Sequence, residues 1–556
     1  MNEQFAGKNG LPAEQPVLAS SGALSLGGTP LLRQTTEPFV ADRKDGIFAL
    51  AVFVLGYFFA RWVLFSWQGW GVALFTLAYC GSVTLYFLKK GVHISRAGWF
   101  WLTVVVLTGI SFALWTNNGL EPWRSLLLFC SAVYWVLCAT GLPLLGKTSN
   151  WLGLDGFNGL FVIPLTNFAC QYKSLAFLGS NKKAEGRQIF SIGLGLLLTL
   201  IVGGMVLPLL MAADSGGFSK ITGGILTYLQ GMRKEIFQLF FYGILAIPIA
   251  AYIFGLVSGS VHKRGCDILK KDSSLKFLST LRVLPTATIY TLLGLLCTLY
   301  VVFIASQTPY FFSAFAGERP EGWQVYSEYA RRGFFELCRI AAINLSVLTA
   351  ANFLSKKLRG DSLPLKIFNT LLSLLTLILI ATALSKMVLY IGVYGLSMRR
   401  LLPCLFMILM AVVYGGVIAL QKWQYSIVRL TVGVGVVMLC TLCLLDPDSL
   451  VARYNAERYL SGTLNSFDVA ILYRSGPAGV DPALKVYAQT GDPVLQDQLK
   501  TYLLDMQQQT AQSLGKSGDN LQKARARQKT MEFAAMNPAK QSTLTGSGGE
   551  GMFVKP

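Results

Sequence analysis

Charged residues running into an otherwise apolar helix are the feature of this chain with the clearest chemical potential. In "YSEYARRGFFELCRIAAINLSVLTAANF", residues 326–353, Glu336 and Arg339 stand three apart, with Arg332 one turn earlier, so they share a helix face. A charge at mid-bilayer costs about 2.5–3.5 kcal/mol on insertion scales and less near the interface, so such groups pair with one another or face water. Two further clusters follow. "SKMVLYIGVYGLSMRRLL", 385–402, puts Lys386, Tyr390 and Tyr394 at helical spacing ahead of Arg399 and Arg400. "DPDSLVARYNAERYL", 446–460, carries Arg453, Asn455, Glu457 and Arg458. Arginine-rich mixed clusters suit phosphate or carboxylate groups, which a guanidinium binds through two parallel hydrogen bonds. The same residues also serve as ion pairs locking helix ends, or as side chains snorkelling to the interface.

Other chemistries find little support. The chain contains no phosphate-binding GxxxxGK[ST], no HExxH and no GxSxG elbow. Its two histidines, His93 and His262, lie in separate basic loops, which argues against a histidine metal centre, and no motif calls for a cofactor. Most of the ten cysteines sit inside apolar runs, where a thiol behaves as a small hydrophobe. Cys440 and Cys443 form a CxxC, but one embedded in "VGVGVVMLCTLCLL" with no second pair, so packing is the simpler reading.

The elements that must position these residues are membrane helices. Of 556 residues 53% are apolar and 14% charged, against about 25% charged in ordinary soluble domains, and mean hydropathy is +0.51. The formal charge is +20, yet residues 446–556 hold 12 Lys/Arg and 11 Asp/Glu. Nearly all the excess therefore falls in short connections between apolar runs, as in loops of a membrane protein. No basic stripe or nucleic-acid motif accompanies the high isoelectric point, so nucleic acid is not an expected partner. At about 20 apolar residues per span, the sequence gives about eleven. They lie near 47–66, 70–88, 97–115, 124–146, 188–212, 236–260, 283–306, 333–354, 366–385, 401–420 and 426–445. Residues 151–170 are apolar but broken by glycines, Asp155, Asn158 and Pro164, as in an interfacial or re-entrant segment. The expected fold is all-α and polytopic.

Connections after the even spans carry 19 Lys/Arg and those on the other side 10, which predicts a cytoplasmic N-terminus and an outward C-terminal tail. The most basic connection, 261–282, is suited to anionic lipid headgroups, or is simply solvated. Because spans 8 to 11 alternate direction, the three charged clusters share one membrane face. That face gathers Glu328, Arg331, Arg332, Glu336, Arg339, Lys386, Tyr390, Tyr394, Arg399, Arg400, Arg453, Asn455 and Arg458.

The remainder of the chain divides simply. Residues 1–45 form a polar tail without a core pattern, residues 46–445 the membrane domain, and 446–512 a helical extramembrane tail able to meet the membrane domain or a partner protein. Residues 513–556 are Gly-, Ser-, Lys- and Gln-rich and read as disordered.

The sequences "YARRGFFEL", "YIGVYGLSMRR" and "DPDSLVARYNAERY", within 326–337, 390–400 and 446–459, resemble signatures of a bacterial multi-span family known only as domain of unknown function, in its related groups 4153 and 4173. "TPYFF" at 308–312 and "NLQKARAR" at 520–527 extend the likeness, while Ser397-Met398 departs from it. The resemblance implies a polytopic protein of the bacterial cytoplasmic membrane and supplies no catalytic residues. Three functions stay open: transport or handling of a small or lipid-linked anionic solute through the charged face; a non-enzymatic scaffold or sensor with a protein partner; and a transferase using Glu336 or Glu328 as general base. A deep cavity reaching Glu336 and Arg339 separates the first and third from the second.

Overall fold

The computed structural model describes residues 39–143, 151–179, 234–264, 280, 282–316, 326–356 and 362–537, together with four isolated positions between 195 and 210. Among the described residues, ten helices are long and apolar enough to cross a membrane, and the only β-pairing is an isolated Leu284–Ser355 bridge. The chain is an all-α polytopic membrane protein. The span expected at 188–212 and most of the basic connection 261–282 fall outside the described residues.

The membrane helices form two groups, each with its own core. The first contains α1 (Arg43–Trp62), α2 (Gly69–Lys90), α3 (Arg96–Leu114) and α4 (Glu121–Thr140). The broken segment expected near 151–170 follows as α5 (Leu152–Phe157), a π-helical turn at Asn158–Val162, α6 (Ile163–Thr166) and α7 (Cys170–Gly179). The last helix of this group, α8 (Lys234–Val261), lies along α1, α6 and α7. Phe48, Phe87, Phe112, Trp135 and Phe254 fill the first core.

The second group contains α9 (Thr286–Ala316), α10 (Tyr326–Leu354), α11 (Leu363–Tyr394) and α12 (Met398–Leu420) around Leu293, Phe334, Leu372, Leu379 and Tyr414. Its core also holds polar links. Asn344 accepts from the Tyr300 hydroxyl at 2.7 Å and donates to Thr376 at 2.9 Å, and Asn352 and Asn369 exchange hydrogen bonds at 3.2 and 3.1 Å. Burying amides in this way fixes the register of adjacent helices, because any slip leaves them unsatisfied.

One helix ties the groups together. In α13 (Ile427–Leu444), Cys440 packs with Val104 of α3 and Leu127 of α4, while the same helix also lies against α12. Cys440 and Cys443 are both buried, and Cys440 receives a hydrogen bond from Thr108.

The extramembrane tail is a compact helical unit. It comprises α14 (Pro447–Leu460), α15 (Val469–Ser475), a 3-10 turn at Gly476–Gly479, α16 (Val480–Gln489), α17 (Pro493–Gln512) and α18 (Leu521–Met536), around Leu472, Val486, Leu499, Tyr502 and Leu503. Composition alone suggested disorder after 512, but Leu521–Met536 is helical because Ala526, Thr530 and Phe533 are buried against that core. Asn520 caps this helix on the Lys523 N–H. Residues 538–556 are outside the described ones.

Candidate functional site at the junction of body and tail

The turn from α13 into α14 brings the tail onto the membrane body. Asp446 makes the turn in a left-handed conformation (φ 51°) and caps α14 by accepting from the Ser449 N–H, with Pro447 at the first helical position. From there α14 runs across the ends of the membrane helices. Asp448 and Val451 face the connection between α3 and α4 and the start of α12, whereas Asn455 and Arg458 reach the connection between α11 and α12. The tail therefore bridges both helix groups.

A polar network secures this docking. Gln522 of α18 donates to the Asp446 carboxylate at 2.5 Å and accepts from the Thr116 N–H at 2.9 Å. Asn117 donates to the Cys443 carbonyl and Trp115 to the Leu444 carbonyl, at 2.8 and 2.9 Å. Arg124, buried in α4, stacks over Phe112 at 3.8 Å and donates to the carbonyls of Trp115 and Thr116 at 3.0 and 2.8 Å. Gly119 donates to Asp448 at 3.1 Å, and a Cβ there would stand 2.6 Å from Met398 Cγ, so the close approach of three segments depends on glycine. Burial pushes the Asp448 carboxyl up to about 6 against the opposing pull of the Gly119 and Asn118 N–H groups, and burial raises Asp446 as well.

The charged residues singled out in the sequence separate into two kinds. Arg458 donates to the Gly392 carbonyl at 2.7 Å and to the Thr463 carbonyl at 2.7 Å. Arg400 donates to the Tyr394 carbonyl at 2.8 Å and to the Gly395 carbonyl, and stacks 4.4 Å from the Tyr390 ring, itself edge-on to Tyr394. Gly392 and Tyr394 belong to the last turn of α11, whose carbonyls have no partner within the helix. Arg400, Arg458, Tyr390, Tyr394 and Asn455 are thus occupied in finishing α11 and fixing the connection after it.

Arg399 and Arg453 are of the other kind: both are exposed, and neither makes a hydrogen bond or ion pair among the described residues. Arg339 is exposed on α10, and Glu336 acts electrostatically on Lys386 of α11. The Lys386 side chain is buried over Gly333, where a Cβ would stand 3.1 Å from its Nζ. The side chains of Glu328, Arg331 and Arg332 lie outside the described residues.

At the junction lies a cleft of about 640 Å³. Its walls come from the first helix group (Gly119), the second (Phe335, Leu402 and Pro403) and the tail (Val451 and Ile471), so it opens where the two groups and the tail meet. Two arginines line it, Arg399 from α12 and Arg474 from α15, both exposed and both uncommitted among the described residues. Asp448 contributes the acidic group. The candidate face read from the sequence left out Arg474, Asp446, Asp448 and Gln522, although the last three lie within the quoted stretches 446–460 and 520–527. Among the described residues no group of three His, Cys, Asp or Glu side chains is placed to hold a metal.

Residues 102–486 match the family model described as Domain of unknown function (DUF4153). Neither curated proteins nor solved structures give a match to the chain.

Proposed function

The chain belongs to the DUF4153 family, and we propose that it binds the head of an anionic amphiphile in the junction cleft as a step in transporting or otherwise handling it. The observation that carries this reading is the pairing of two uncommitted guanidinium groups, Arg399 and Arg474, with apolar walls from Phe335, Leu402, Pro403 and Ile471. Guanidinium groups hold phosphate or carboxylate, while the walls accommodate the apolar part of the same ligand. The position of the cleft between two separately cored helix groups suits handling, since relative movement of such groups opens and closes a site between them. The 19-to-10 Lys/Arg asymmetry of the connections supports an outward-facing tail in a cell membrane, which puts the cleft on the outer face.

The test uses full-length protein in phosphatidylcholine nanodiscs doped with phosphatidic acid, with native mass spectrometry counting the acid retained. Wild-type protein retains it and the Arg399→Gln/Arg474→Gln variant loses it. Equal retention by both proteins refutes the reading.

A further inference from the structure

The opposite face of α14 borders a second cavity, of about 560 Å³, enclosed by the 3-10 turn at Gly476–Gly479 and by α18. Its chemistry differs from that of the junction cleft. Ser449, Arg453 and Glu457, spaced four apart, form one stripe of α14, and Asp481 and Arg525 line the same cavity. Trp115 contributes from the end of α3.

The commitments of the surrounding side chains are unequal. Arg527, two residues beyond Arg525, is buried and donates to the Thr510 carbonyl and to Asp519, each at 2.9 Å. Asp481 is paired with Lys529 at 2.7 Å. Arg453 and Arg525 are exposed and make no hydrogen bond or ion pair among the described residues, and Glu457 likewise makes none through its carboxylate. The cavity thus holds two exposed cationic forks and a serine hydroxyl beside three carboxylates: Asp481 is paired with Lys529, Asp446 accepts from Gln522 and feels the Arg453 charge, and Glu457 is left to face the space. Two guanidinium groups match a phosphate, which offers several acceptor oxygens, whereas a carboxylate facing the same space requires donors on the ligand.

From this arrangement we propose that the cavity binds a phosphorylated polyol, with its phosphate on Arg453 and Arg525 and its hydroxyl groups on Glu457 and Ser449. The volume falls within the range of small-molecule sites. The same chemistry is offered by a glycerophospholipid head and by a free phosphate ester. Neither source depends on the junction cleft, which uses other arginines.

Full-length protein in maltoside micelles is titrated calorimetrically with glycerol 3-phosphate, and the same protein in phosphatidylcholine nanodiscs is offered phosphatidylglycerol. Saturable binding of the first alone assigns a free ligand, and retention of the second alone assigns a lipid head. In either case Arg453→Gln/Arg525→Gln weakens binding by about tenfold or more, because both charge-assisted contacts are removed. Glu457→Gln narrows the preference for glycerol 3-phosphate over inorganic phosphate, and Ser449→Trp fills the cavity and blocks binding without removing charge. The proposal is overturned if neither probe binds, if the paired glutamine variant binds as wild type, or if binding disappears in Arg399→Gln/Arg474→Gln instead.

Discussion

Asn455 accepts a hydrogen bond from the Leu396 N–H at 2.8 Å and donates one to the Leu396 carbonyl at 2.7 Å. One buried amide thus satisfies both backbone groups of a residue 59 positions earlier and joins α14 to the connection between α11 and α12. Gly395, beside it, has φ +76°, and a Cβ there would run into the Asn455 amide oxygen. Asn455→Ala strands two buried backbone groups and is expected to cost about 1–3 kcal/mol. Gly395→Ala also destabilises, through strain and collision. Thermal unfolding of full-length protein in detergent checks both, and an unchanged midpoint in Asn455→Ala would show that water replaces the amide.

A second prediction concerns pH. Burial holds the Asp448 carboxyl near 6, whereas an unfolded aspartate titrates near 3.9. Between those values the folded protein keeps a proton that the unfolded chain has lost. The stabilisation from Asp448 is therefore greatest at low pH, falls as pH rises from about 4 to about 6, and then levels off. The loss attributable to Asp448 is at most about 3 kcal/mol. Asp448→Asn keeps an acceptor for the Gly119 N–H and removes most of the slope, leaving the smaller contribution of Asp446. Denaturant midpoints across pH 4–8 measure this, and a slope identical in the variant refutes it.

Lys386 and Glu336 are unequal partners. The lysine is buried and the glutamate exposed, so removing the glutamate withdraws favourable charge from a buried cation, while removing the lysine leaves a carboxylate that water or the interface can reach. Glu336→Gln is expected to lower the yield of folded protein more than Lys386→Met, and the double variant to recover it. Fluorescence-detected size exclusion of the three proteins decides. Equal yields from both single variants would mean that the two groups are not coupled.

Membrane sidedness is open to direct labelling. The α3–α4 connection contacts the tail, while the α2–α3 connection lies at the other end of the same helices. In a cysteine-depleted background, Asn118→Cys and Ser461→Cys should react with an impermeant thiol reagent added to intact cells, and His93→Cys only after permeabilisation. The reverse pattern turns the protein over and moves the junction cleft to the inner face. A split between Asn118 and Ser461 breaks the shared face itself.

Membrane spans are legible in this sequence because a helix apolar on every side over the thickness of a bilayer has no face to give to water. Alternation of direction then places the charged clusters on one face. The division of labour among those charges is not legible. Arg400 and Arg458 look like ligand-binding residues until α11 is seen to continue to Tyr394, where its terminal carbonyls require donors. The sequence suggests an end near 385 because Lys386 interrupts the apolar run, but a lysine set over Gly333 lets the helix continue. Asp448 and Gln522 lie within quoted motifs, but nothing local assigns their partners, because Gly119 and Thr116 lie more than three hundred residues away. The helix at Leu521–Met536 gains its stability from the rest of the tail, so its own composition understates it.

The hydrogen bond from Trp70 N–H to the Asp519 carbonyl, at 2.9 Å, joins the second membrane helix to a residue synthesised some 450 positions later. The helix that links the two groups, α13, and the tail that closes over them likewise follow both helix groups in the chain. Assembly of the first helix group therefore depends on later sequence: its α13-facing surface stays uncovered until residues 427–444 have been made. A nascent or truncated chain would expose that surface, as well as the Thr116 and Gly119 N–H groups that Gln522 and Asp448 otherwise satisfy, to membrane quality-control proteases. A chain that extends through Gln522 carries the partners for both.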